Sequence, residues 1–279
     1  MNSILLGLTS ALSWGAGDFT GGLVSRKIGA PWAVLLGETV GLLFLVPMAI
    51  GVGEPVPDGA SWLQAALAGG MGTLGLVLLY QALATGTMSI AGPVSALMTA
   101  IIPVVFGSFL EGFPGPLTFL GFAFALTAVW LISQGKDGVK DFLSHLSALR
   151  LPLLAGVGFG CYFILIHAAA DNSTWWPMVA SRAAGWIIIA AFIVTRRTSW
   201  SGAGSLWPLI IINGILDVGG NGFYILAGQA GRLDISAVIS SLYPGATVLL
   251  AWIVLKERLS FTQWLGIAAA LVAIGLLAL

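Results

Sequence analysis

Apolar residues along this chain fall in long blocks, not in the alternating or one-faced patterns of soluble strands and helices. A helix needs roughly 20 apolar residues to cross a 30 Å hydrocarbon core. Ten such blocks occur, centred near residues 14, 42, 72, 99, 125, 160, 185, 217, 244 and 269. Polar or Pro/Gly-rich breaks separate them: SRKIGAP (25–31), GVGEPVPDGAS (51–61), EGFPGP (111–116), GKDGVKDFLSHLSALR (135–150), RRTSWSGAGS (196–205) and KERLS (256–260). Loops this short leave no room for a separate soluble domain. The pattern predicts an all-α polytopic membrane protein of ten transmembrane helices.

Composition agrees. The chain is 58% hydrophobic and 8% charged, against about a quarter charged in an ordinary soluble domain, and its mean hydropathy is +1.01. The net charge of zero says nothing about nucleic acid, and no basic cluster suggests it. The single cysteine, Cys161, lies in an apolar block and forms no intrachain disulfide. MNSILLGLTS lacks the basic start and cleavage site of a secretory signal, so the first block is expected to be retained. Following the ten spans, Arg26, Lys27, Lys136, Lys140, Arg150, Arg196, Arg197, Lys256 and Arg258 fall on one side, and only Arg232 on the other. The positive-inside rule makes the crowded side cytoplasmic and places both termini outside.

The two halves resemble each other. LGLTSALSWG matches LLAGVGFGCYF, SFLEGF matches VLKERL, and LTFLGFAFAL matches TQWLGIAAAL. Glu38 in GETVG and Arg182 in SRAAG stand at equivalent positions, each followed by a shared glycine, Gly41 and Gly185. Five spans per half is an odd number, so the second half enters the membrane with opposite polarity. The expectation is two inverted-topology five-helix repeats, residues 1–134 and 151–279, joined by a cytoplasmic linker, residues 135–150. Many secondary carriers have this architecture, with the substrate near the midplane.

Residues 240–279, SSLYPGATVLLAWIVLKERLSFTQWLGIAAALVAIGLLAL, resemble the end of an EamA-type member of the drug/metabolite transporter superfamily. SWGAGDF (13–19) and DVGGNGFYILAGQAGRLDIS (217–236) fit the same family, so the resemblance covers essentially the whole chain. It implies alternating access around a central cavity in a cytoplasmic membrane, bacterial in type. One departure is EGFPGP, where the family's first-half turn is closer to KERLS. Another is orientation, since relatives with basic N-termini sit the other way up.

Ionisable side chains within a span face the bundle interior or a water-filled cavity and mark a substrate or ion path. Here they are Asp18, Glu38, Arg182 and Asp217, with His167 nearer a span end. At 1.5 Å per residue, Asp18 and Glu38 both lie roughly 10 Å inside the cytoplasmic face. They are expected to meet, and two adjacent carboxylates do not both ionise cheaply, so one would hold a proton. Arg182 is expected at the mirrored depth, out of direct reach of Glu38. It would hold a substrate carboxylate or a backbone carbonyl. Asp217 and Asn221 share a helix face at i, i+4, and Trp14, one turn from Asp18, shares its wall. Tyr80 and Tyr243 are further deep aromatics, and a ring beside a carboxylate suits an organic cation or an amino acid. Glycines at 17, 21, 214, 219, 220 and 222 suit close helix packing, and Asn213 an interhelical hydrogen bond. Pro93 and Pro103 in span four, and Pro244 in span nine, are expected to interrupt their helices.

The candidate substrate-binding set is therefore Trp14, Asp18, Glu38, Tyr80, Arg182, Asp217, Asn221 and Tyr243, with Asp18 and Glu38 as the proton-coupling pair. A P-loop is absent, and His145 and His167 have no ligand cluster of metal spacing. Neither enzyme activity, cofactor nor metal is expected. The expected partners are a small-molecule substrate, the lipid bilayer and protons. The leading expectation is a secondary transporter exporting an amino acid or related metabolite. Uptake of a sugar or organic cation by the same fold is the nearest competitor, followed by a lipid-moving role. A ligand sensor or subunit that transports nothing is the alternative from another class.

Overall fold

The computed structural model describes residues 2–84, 88–110, 112–132, 150–171, 173–200, 202–256 and 259–278. The helices are α1 (Asn2–Ile28), α2 (Ala30–Val52), α3 (Gly59–Ala84), α4 (Met88–Leu110), α5 (Pro116–Ile132), α6 (Arg150–Ala169), α7 (Trp175–Arg196), α8 (Trp207–Gln229), α9 (Leu233–Ser240), α10 (Tyr243–Leu255) and α11 (Phe261–Leu277). They form ten spans, because α9 and α10 are two pieces of one. By length and composition, six of these segments suit a bilayer crossing, the α9–α10 segment among them. Of the linker residues 135–150, only Arg150 is described, and it opens α6. Lys136, Lys140, His145, Arg258, Glu111 and Asn172 lie outside the described residues.

Local chemistry sets the breaks. Gly29 has φ +83° and Pro31 follows in the first turn of α2, so α1 and α2 part there with almost no loop. Asp58 accepts the Ser61 N–H at 2.8 Å, capping α3, and these bonds hold its carboxyl below the usual carboxylate range. Arg197 closes α7 in the left-handed region, with the Thr198 N–H reaching back to Ile193 O at 3.1 Å. Ser260 and Gln263 make a capping box at the start of α11. Span nine breaks at Ser241 and Leu242, just before Pro244. Span four is different from expectation: α4 runs unbroken through positions 93 and 103.

Packing between the halves obeys a two-fold rule. α3 packs on α6 and α1 on α8. α3 packs on α7 and α2 on α8. α4 packs on α6, and α1 on the α9–α10 span. Each contact becomes its partner when the halves are exchanged. Three contacts are their own images, α2 with α7, α5 with α11 and α4 with the α9–α10 span, so the relating axis passes between those pairs. The outer surface carries Leu43, Phe109, Phe119, Val194 and Leu271 as exposed apolar side chains, a surface suited to lipid.

Candidate functional site

A cavity lies between the halves. Seven of the eight residues anticipated from the sequence line it: Trp14, Asp18, Glu38, Arg182, Asp217, Asn221 and Tyr243. Tyr80 does not. Its ring packs against Gly21 of α1, and its hydroxyl accepts from Asn213 Nδ2 at 3.0 Å. Asn213 also donates to Gly17 O at 2.8 Å, so Tyr80 and Asn213 tie α3, α8 and α1 together away from the cavity. Trp186 donates to Thr39 Oγ1 at 2.9 Å on a partly exposed face outside the cavity.

Arg182 is the centre of the site. Its Nη1 donates to Glu38 Oε2 at 3.0 Å and its Nη2 to Asp217 Oδ2. Glu38 takes a second bond, from Thr73 Oγ1 at 3.1 Å. Arg182 and Glu38 are only 6% and 5% exposed, so the pair is withdrawn from water and each charge depends on the other. This corrects the expectation that the two stay apart. Each lies about 5 Å from the middle of its helix, on opposite sides, and the extended arginine and glutamate chains close the remaining gap across the two-fold axis. The glycines shared by the repeats make room: a methyl at Gly41 would press on Arg182, and one at Gly185 on Thr73 and Glu38.

The same exchange explains the neighbours. Glu38 and Arg182 are separated by 144 residues, the spacing that also relates Thr73 to Asp217. Thr73 bonds Glu38, and Asp217 bonds Arg182, each across 35 residues. One half presents a hydroxyl and a carboxylate where the other presents a carboxylate and a guanidinium. Thr73 is the residue that sequence reading passed over. The signal for it was available in that repeat spacing, carried from Asp217 back to the first half.

Asp18 stands apart. The expected pairing with Glu38 does not form, because Arg182 and Thr73 occupy Glu38. Among the described residues Asp18 makes no hydrogen bond or ion pair. Instead it faces the cavity within electrostatic reach of Asp217 and of the Tyr243 hydroxyl. Arg182 is equally committed, so a substrate carboxylate would have to displace Glu38 or Asp217 to reach it. Asn221 accepts from Tyr162 Oη at 2.6 Å and donates to Asp217 O at 2.8 Å, which steadies that wall. Tyr243 is buried on the cavity wall, its hydroxyl close to those of Ser95 and Thr99 but bonded to neither. Trp14 stacks on Phe163 at 5.2 Å, and Phe163 on Tyr224 at 4.1 Å.

Ten spans, two halves related by exchange and a cavity with charged side chains at their interface define a membrane carrier. The EamA-like transporter family matches residues 1–134 and again residues 146–279, and the chain belongs to that family. It is a multi-pass integral membrane protein of a transporter family, not an enzyme family. No curated protein matches the chain. A crystal structure of another protein superposes with a TM-score of 0.77 at 18% identity, covering 98% of this chain and 95% of the other. At that identity the likeness speaks for the fold alone.

Proposed function

We propose that the protein is a secondary active transporter that exports an amino acid or related amine-bearing metabolite by alternating access, with a proton exchanged at Asp18. One observation carries this reading: of the three carboxylates on the cavity wall, Asp18 alone has no cationic partner among the described residues. An unpaired carboxylate facing a second one in a low-dielectric site favours taking up a cation. A proton and a substrate ammonium both satisfy that demand, and competition for one carboxylate couples their movements. The proton site thus moves from an Asp18–Glu38 pair to Asp18 by itself. Glu38 becomes part of the frame that holds Arg182. The aromatic lining favours a second reading, uptake of an organic cation, in which the Trp14 ring and Asp18 share a quaternary ammonium.

Purified protein in liposomes tests both readings. An imposed pH gradient should drive amino acids or simple amines, and Asp18→Asn should abolish that accumulation and weaken substrate-for-substrate exchange, because both cations lose the carboxylate they share. Accumulation unchanged in Asp18→Asn would overturn the proton role. Quaternary amines moving independently of pH would favour the second reading.

A further inference from the structure

One corner of the cavity holds polar groups that the ion-paired frame around Arg182 does not use. Ser95 and Thr99 stand one turn apart on α4, so their side chains share a face. The Thr99 hydroxyl donates to Ser95 O at 2.8 Å, which commits its hydrogen to the helix backbone. Tyr243 opens α10 and brings its hydroxyl close to both. Ser95, Thr99 and Tyr243 are only 0%, 1% and 4% exposed. Among the described residues, Ser95 Oγ and Tyr243 Oη have no hydrogen-bond partner.

Neighbouring helices fix this corner beside Asp18. α10 is tied to α1, because Thr247 Oγ1 donates to Gly15 O at 3.0 Å. A methyl at Gly15 would strike Tyr243 O and the Ala246 side chain, so the two helices meet closely there. Asp18 lies one turn along α1 from Gly15, on the cavity wall that Thr99 and Tyr243 also line. Behind them α6 presses on α4, since a methyl at Gly156 would strike Ser95 O and the Met98 side chain. A buried hydroxyl without a partner is costly. Two of them here adjoin a carboxylate with no cationic partner among the described residues, the pattern of a site that a ligand completes.

Ser95 and Tyr243 each keep a free hydroxyl hydrogen, so the corner calls for an acceptor. A charged acceptor bonds about twice as strongly as a neutral one. On a small metabolite whose ammonium sits at Asp18, the charged acceptor at hand is its own carboxylate. We infer that this corner is an oxygen subsite, which takes the carboxylate of an α-amino acid while Asp18 takes its ammonium. The Tyr243 hydroxyl donates to the substrate oxygen. Ser95 Oγ, behind the wall, donates in turn to Tyr243 Oη, so one ligand atom satisfies both orphaned groups. Arg182, the other available anchor for a carboxylate, is occupied by Glu38 and Asp217. The substrate class narrows from amine-bearing metabolites to zwitterions with both charges close together. The inference rests on the reading that Asp18 receives a substrate ammonium.

Isothermal titration of the purified protein with matched pairs tests the subsite: alanine with ethylamine, leucine with isoamylamine and phenylalanine with phenethylamine. Each amine is the amino acid without its carboxylate. In whichever pair fits the cavity, the amino acid should bind about ten- to hundredfold tighter, the worth of a hydrogen bond to a charged group. Tyr243→Phe should erase most of that gap, weakening the amino acid far more than the amine. Ser95→Ala should narrow it by less, and serves alone should Tyr243→Phe not fold. Asp18→Asn should weaken both members of a pair. Equal affinities for acid and amine in the wild-type protein, the result of a corner filled by water, would overturn the subsite. So would a gap that survives in folded Tyr243→Phe, or in Ser95→Ala where that is the folded variant. Amines that still bind through Asp18 in those cases would leave the reading of Asp18 standing, whereas failure of every pair to bind would remove both.

Discussion

Asp18 and Arg182 show how differently two charges can be held within one cavity. Arg182 is fixed by two carboxylates, and removing it leaves Glu38 and Asp217 buried with no countercharge. Arg182→Ala should therefore cost about 3–5 kcal/mol of stability, the usual penalty for breaking a buried pair from one side. Glu38→Gln should cost less, because Arg182 keeps Asp217 and the amide can still accept from Thr73. Thermal unfolding of the two variants in detergent, run side by side, checks the order. A Glu38→Gln protein less stable than Arg182→Ala would show that Asp217 alone does not hold Arg182. Tyr80→Phe should leave transport kinetics unchanged, since the hydroxyl it loses serves Asn213 and not the cavity.

At the scale of elements, glycine decides how closely the halves approach. A methyl at Gly185 would strike Thr73 and Glu38, both already bonded and with little room to yield. Gly185→Ala should destabilise the protein by about 1–3 kcal/mol, as overpacking does. Gly275 has nothing within 4 Å of an added methyl, and Gly275→Ala there should be neutral or up to about 1 kcal/mol stabilising through helix propensity. Melting curves of the pair separate packing from propensity. The spans themselves were legible, because bilayer thickness writes itself into the length of apolar blocks. The break at Pro244 was legible too, whereas α4 absorbed its prolines without ending. The ion pair was not legible. Axial depth counted along the backbone ignores the reach of long side chains, and Glu38 and Arg182 meet through that reach. The pairing of Asp18 failed for a related reason: equal depth does not specify which neighbour a helix face turns toward.

For the whole molecule, the distribution of basic residues predicts that both termini lie outside. Alkaline phosphatase joined to the C-terminus should be active, and green fluorescent protein joined there should stay dark. The reverse pattern would invert the molecule and leave its internal symmetry untouched. That symmetry bears on where energy is spent. The bond between Glu38 and Arg182 joins α2 to α7, across the axis that relates the halves. A rocking motion that trades one closed end for the other swings the tips of the helices widely but hardly displaces what lies at the pivot. This buried ion pair, costly to break from either side, can thus act as a fulcrum that stays intact throughout the cycle.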